Sequence, residues 1–159
     1  MCDHCGCREI TPIGRLMDDH ERLLDLAGEI RAAVRAGAIP AARGIVERLG
    51  ALLDPHVRSE EHGLFAVMRE QGEFVDHIDA LEGEHADLAA RLAGPLPAAD
   101  ILDICDRLRE HIHAEEYGLF PAALAGLGGA DWDAVDAAAP RSRRSETFAP
   151  VAHRSGQEA

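Results

Sequence analysis

One ten-residue phrase occurs twice in this chain, and it restricts the possible folds more than any other feature. His56-Val57-Arg58-Ser59-Glu60-Glu61-His62-Gly63-Leu64-Phe65 returns as His111-Ile112-His113-Ala114-Glu115-Glu116-Tyr117-Gly118-Leu119-Phe120. In each copy a histidine precedes a glutamate by four residues. A helix turns about 100° per residue, so the two side chains stack on one face, one turn apart. An imidazole beside a carboxylate is a metal-ligand pair. Two such pairs on two helices point to one shared site for two ions.

The rest of the chain supports helices. Alanine, leucine and arginine dominate, aromatics are scarce, and the Val/Ile/Thr runs of a β protein are absent. Its 159 residues suffice for one domain with a core. Pro12 can open a first helix reaching about residue 36, with Leu16, Leu23, Leu24, Ala27, Ile30 and Val34 as its apolar stripe. A second helix is predicted over residues 41–70, kinked at Pro55. A third follows over 73–92, with Phe74, Ile78, Leu81, Leu88 and Leu92 inward. A fourth covers 98–125, after Gly94-Pro95-Leu96-Pro97. Asp131 is expected to cap a short fifth helix reaching residue 139, with Trp132 packing back on the others. The expected fold is therefore all-α: an antiparallel up-down four-helix bundle over residues 12–139. A cysteine-bearing leader precedes it (residues 1–11), and a disordered tail follows (140–159).

Each predicted helix contributes to one constellation. His20 lies on the first, His56 and Glu60 on the second, His85 on the third, His111 and Glu115 on the fourth. Four imidazoles suit iron, zinc, manganese or copper, and two carboxylates can bridge two ions. Leucines one turn from these positions (Leu16, Leu24, Leu52, Leu64, Leu81, Leu119) imply an apolar setting that excludes bulk water. Arg107, one turn before His111, is the polar exception and a candidate to gate or tune the site. Phe65 and Phe120 are expected to close the bundle end. Glu61 and Glu116 project about 140° from their histidines, toward solvent or behind the ligands. His62, His77 and His113 fall off the ligand face.

These residues resemble the hemerythrin-like (HHE cation-binding) family, over roughly residues 12–126. The resemblance implies a four-helix bundle with two non-haem iron ions, bridged by two carboxylates and an oxo or hydroxo group. It assigns His20, His56, Glu60, His85, His111 and Glu115 as metal ligands. Oxygen-carrying hemerythrin has His-x-x-x-His on its third helix, where this chain has Leu81 before His85. Its fourth-helix pair is His-x-x-x-x-Asp, where this chain has His111 and Glu115. The missing histidine leaves both irons coordinatively open and counts against simple oxygen carriage. The pattern is closer to bacterial family members linked to nitric oxide, peroxide or iron handling, including proteins that repair iron centres. High alanine, all-arginine basicity and the leader are similar to actinobacterial members.

Function is thereby expected in binding or reacting with a small oxidant: peroxide, nitric oxide or oxygen. Reversible binding or sensing without turnover, and a zinc or manganese site of structural or hydrolytic use, are the other readings. The formal net charge of −13, from 29 acids against 16 bases, all of them arginine, opposes nucleic acid and anionic membranes. No motif names a protein partner. The leader does not look like a signal peptide, and no stretch nears the roughly 20 apolar residues of a membrane span, so a cytoplasmic location is expected. Thiols stay reduced there, so Cys2, Cys5, Cys7 and Cys105 are expected free or metal-bound. Three thiols and His4 crowd into the leader, leaving a reactive terminus, a thiol redox role and a zinc or iron–sulfur site all open. Cys105 is expected to be buried in a helix.

Overall fold

Apolar residues at three- and four-residue spacing build four long helical runs in the computed structural model, which describes residues 9–138 apart from Glu73 and Pro95. The leader cysteines and the expected tail lie outside the described residues. Helix α1 spans Thr11–Arg35 and α2 spans Ile39–Ser59. A π turn (Glu60–Phe65) continues α2 into the short α3, Ala66–Glu70. Helix α4 covers Val75–Ala93 and α5 covers Ile101–Ala114. A second π turn (Glu115–Leu119) leads into α6, Phe120–Gly126, and α7 closes the described chain at Gly129–Ala138. Pro12 and Pro40 sit in the first turns of α1 and α2, where a missing N–H leaves no helical bond unmade.

Both π turns begin at the glutamate of the repeated phrase. Pro55 lies inside α2, yet the second copy widens at the same place with no proline upstream. The cause therefore lies in the shared phrase. A π turn holds one residue more than an α turn and is found mostly at functional sites.

Helix α1 packs against α2 and α5, and α4 packs against the same two, so the chain order α1, α2, α4, α5 is also the order around the bundle. Helix α7 lies across α1, α3 and the first π turn. There Gly63 approaches the Val135 carbonyl so closely that a Cβ would sit 3.4 Å from it. Two apolar layers fill the interior. One contains Ile13, Leu16, Leu64, Phe65, Leu81 and Phe120; the other contains Leu23, Ile30, Leu49, Leu53, Ile104 and Leu108. The histidines and glutamates of the constellation lie between these layers along each helix.

Some expectations change. The helices begin or end one to three residues from the predicted bounds. Phe74 is not inward: it precedes α4 in the left-handed region (φ 56°) and is 47% exposed. Leu24 falls outside the stripe that faces the core and is 37% exposed. Asp131 lies within α7, not ahead of it, and its carboxylate accepts the Gly128 N–H at 2.7 Å. Trp132 packs on the first apolar layer, and Cys105 is a buried free thiol. No helix among the described residues is long and apolar enough to cross a membrane.

Candidate metal centre

The six predicted residues come together. His20, His56, Glu60, His85, His111 and Glu115 are all buried, five of the six at 2% exposure or less and His85 at 4%. They form two overlapping groups. His20, His56, Glu60 and Glu115 make one, and Glu60, His85, His111 and Glu115 the other; within each, the nearest donor atoms lie within 4.8 Å of one another.

The two glutamates join the groups, each through both of its oxygens. Glu60 turns Oε1 to His56 Nε2 (3.2 Å) and His20 Nε2 (3.6 Å), and Oε2 to His85 Nε2 (3.5 Å). Glu115 turns Oε2 to His20 Nε2 (3.2 Å), and Oε1 to His111 Nε2 (3.3 Å) and His85 Nε2 (3.8 Å). Both oxygens of both glutamates, Nε2 of His20, and both ring nitrogens of His56 are buried without a hydrogen-bond partner among the described residues. Such orphaned polar atoms are costly unless something else satisfies them. On the other side, His85 Nε2 and His111 Nε2 face each other at 2.9 Å. With Nδ1 of each ring facing a carboxylate, two inward lone pairs this close repel unless a proton or a cation lies between them. The donor set fits a pair of cations.

The electrostatics agree. Burial raises Glu60, but His56, His20 and His85 outweigh it and hold its carboxyl well below the ordinary carboxylate range. Burial and the charge of Glu60 raise Glu115, but His111 and His20 hold it below its ordinary value. Burial lowers His20, His56 and His111, yet the surrounding carboxylates raise all three, His111 to about 9. Without a cation, these surroundings favour ionised Glu60 and Glu115 and protonated His20, His56 and His111. Positive charge is what this interior requires, and a bound cation can supply it in place of those protons.

Residues 11–123 match the hemerythrin HHE cation binding domain. The chain belongs to this family. No curated protein and no solved structure matches it.

The hemerythrin domain also places a carboxylate behind each inner histidine. His20 Nδ1 donates to Glu116 (3.1 Å), His85 Nδ1 to Glu61 (3.0 Å) and His111 Nδ1 to Glu84 (2.8 Å). His56 Nδ1 lies 3.6 Å from Asp19, an ion-pair distance. A proton held on Nδ1 leaves Nε2 with its lone pair directed inward. Glu61 and Glu116, expected near solvent or behind the ligands, take the second of those roles. Asp19 and Glu84 were not foreseen. Their signal was nonetheless present, since each lone histidine follows an acid (Asp19-His20, Glu84-His85).

Phe65 and Phe120 do more than close an end. Phe65 stacks on His85 (centroids 5.7 Å) and Phe120 on His20 (5.6 Å), both nearly parallel. Each copy of the phrase thus grips the lone histidine of the opposite half through its second glutamate and its phenylalanine.

The remaining candidates lie outside this centre. His62 and His113 are exposed, with His113 stacked on Tyr117. His77 packs where Gly118 leaves room, its Nε2 3.3 Å from the site of a Cβ. Arg107 is half exposed and ion-paired with Asp103 (2.8 Å) and Asp87 (3.4 Å).

Proposed function

We propose that the domain holds two iron ions and binds or reacts with a small oxidant such as peroxide, nitric oxide or oxygen. His20 and His56 would hold one ion, His85 and His111 the other, with Glu60 and Glu115 shared between them. One observation carries the reading: each buried glutamate offers one oxygen to each histidine pair, and neither oxygen has a hydrogen-bond partner among the described residues. Bound iron would supply redox chemistry and coordination positions for the oxidant. Two imidazoles and two carboxylate oxygens per ion leave such positions free on a six-coordinate count. Leu81, one turn before His85, is buried and offers no further nitrogen.

The protein's own groups set the conditions. The outer carboxylates fix the imidazole tautomer and its direction. The two apolar layers exclude bulk water and strengthen every electrostatic contact between them. The donor chemistry alone also admits zinc or manganese. Metal analysis of protein purified without added metal, followed by titration with peroxide and with nitric oxide, tests the proposal. About two irons per chain and a spectral change on titration are expected. Zinc or manganese as the resident metal, or loaded iron that responds to neither reagent, would overturn it.

A further inference from the structure

We propose that the two ions are held unequally, and that the one between His85 and His111 exchanges with solution faster than the one between His20 and His56. The inference rests on the di-iron reading and deepens it.

The inner donors of the two groups are matched, but what stands behind them is not. Around the first pair, the side chains of Asp19 and Glu116 are 9% and 13% exposed. Around the second, those of Glu61 and Glu84 are 32% and 50% exposed. A cleft on each flank of α4 reaches the second pair. One, about 530 Å³, runs between α2 and α4 and is bordered by Leu53, Val57, Ala86, Ala89, Glu61 and His85. The other, about 220 Å³, lies between α4 and α5 and is bordered by Glu84, Asp87, Glu110, Arg107 and His111.

Aligning His20 with His85 shows why α4 is open. Gly83, Ala86 and Ala89 of α4 correspond to Asp18, Glu21 and Leu24 of α1. Small residues on α4 leave gaps where α1 carries longer side chains. Helix α1 also meets α2 and α5 more extensively than α4 does.

The chemical consequence is a difference in lability. An ion leaves when its imidazoles turn away and its carboxylate oxygens find other partners. Glu61 and Glu84 can exchange the Nδ1 hydrogen bond for water, which frees His85 and His111 to rotate. Glu116 and Asp19 have less access to water, at 13% and 9% exposure, and Asp19 stands 3.6 Å from His56 and 3.7 Å from Arg22. The smaller cleft carries three carboxylates against one guanidinium, the sign that attracts a divalent cation.

The test uses full-length protein loaded with iron, reduced, and mixed with excess ferrous chelator while release is followed in time. Two phases of about one iron each are expected, as outer partners shift metal affinity by about 10–100-fold. Glu84→Gln should speed the fast phase by a similar factor and leave the slow phase unchanged; Asp19→Asn should speed only the slow phase. A second measurement needs no variant. Wild-type protein stripped of its fast iron and refilled with Mössbauer-active iron should show a single labelled environment. Release of both irons in one phase, label in two environments, or a fast phase accelerated by Asp19→Asn would each overturn the inference while leaving the di-iron reading intact. Protein that takes up no iron would overturn both.

Discussion

The α1/α2 half and the α4/α5 half of this hemerythrin domain present the same inner atoms in different surroundings. Each gives two histidines and one shared glutamate to the interior, and acids from both halves stand behind the imidazoles. In the first half the acid behind His56 is an aspartate, buried and 3.6 Å away; in the second the acid behind His111 is a glutamate, half exposed and 2.8 Å away. One methylene and a change of solvent access separate them. Inner donors set which metals can bind, while the layer behind them sets how firmly and how reversibly.

The largest effects should come from breaking what the halves share. Glu60→Ala and Glu115→Ala each remove an oxygen from both groups. Bound iron should fall toward zero in either variant, well beyond the roughly 10–100-fold loss from deleting an outer partner. Retention of both irons, measured by elemental analysis, would refute the shared role. His56→Ala and His111→Ala should instead each spare the opposite group, leaving about one iron per chain.

Next come the aromatic supports. Phe65→Ala and Phe120→Ala should each destabilise the metal-free protein by about 3–5 kcal/mol, seen as a lowered denaturant midpoint. Each should also loosen the opposite half, His85 for Phe65 and His20 for Phe120. A histidine resonance that shifts in its own half instead would break the crosswise assignment.

The pH dependence should be smaller. His111 is raised from 6.5 to about 9 in the folded protein. Its protonation therefore contributes stability that is full below pH 6.5 and is lost as pH rises through about 9. Metal must displace that proton, so iron affinity should climb with pH over the same window. Denaturation of metal-free protein and metal titration, each across that window, check both signs. A flat affinity would mean that His111 is not a ligand.

The smallest change should be Asp19→Glu, which makes the first half imitate the second. The longer side chain should close the 3.6 Å gap to His56, at a packing cost of about 1–3 kcal/mol. Slower release of the tightly held iron is expected; an unchanged rate would show that Asp19 does not bear on His56.

The inner centre was legible because ligand spacing along a helix is a local property. His56 with Glu60, and His111 with Glu115, declare themselves by four-residue spacing, and His20 and His85 follow from helix phase. The outer layer was not legible by the same rule. Glu61 and Glu116 point away from their own histidines on an ideal α-helix and reach histidines of the opposite half from π turns, which no apolar period reveals. Asp19 and Glu84 lie beside His20 and His85 in sequence but serve His56 and His111 on neighbouring helices. Leu24 shows the same limit. Its spacing fits the stripe, yet it stands on the flank of α1, where α4 has Ala89. Such differences depend on how closely two helices approach, which is decided by side chains on both.

The crosswise grip of Glu61 and Phe65 on His85, and of Glu116 and Phe120 on His20, means that neither half completes the surroundings of its own histidine pair. Each helical hairpin supplies an acid-histidine dipeptide on one helix and the repeated phrase on the other, and takes back the complementary set. Such an exchange is the contact pattern of an isologous interface, in which one surface meets its own copy about a twofold axis. A lone hairpin of this kind would therefore be incomplete as a monomer and metal-competent as a pair. In this chain the two partners are tethered, which makes closure of the centre independent of protein concentration and allows each copy to diverge while the ring of donors stays whole.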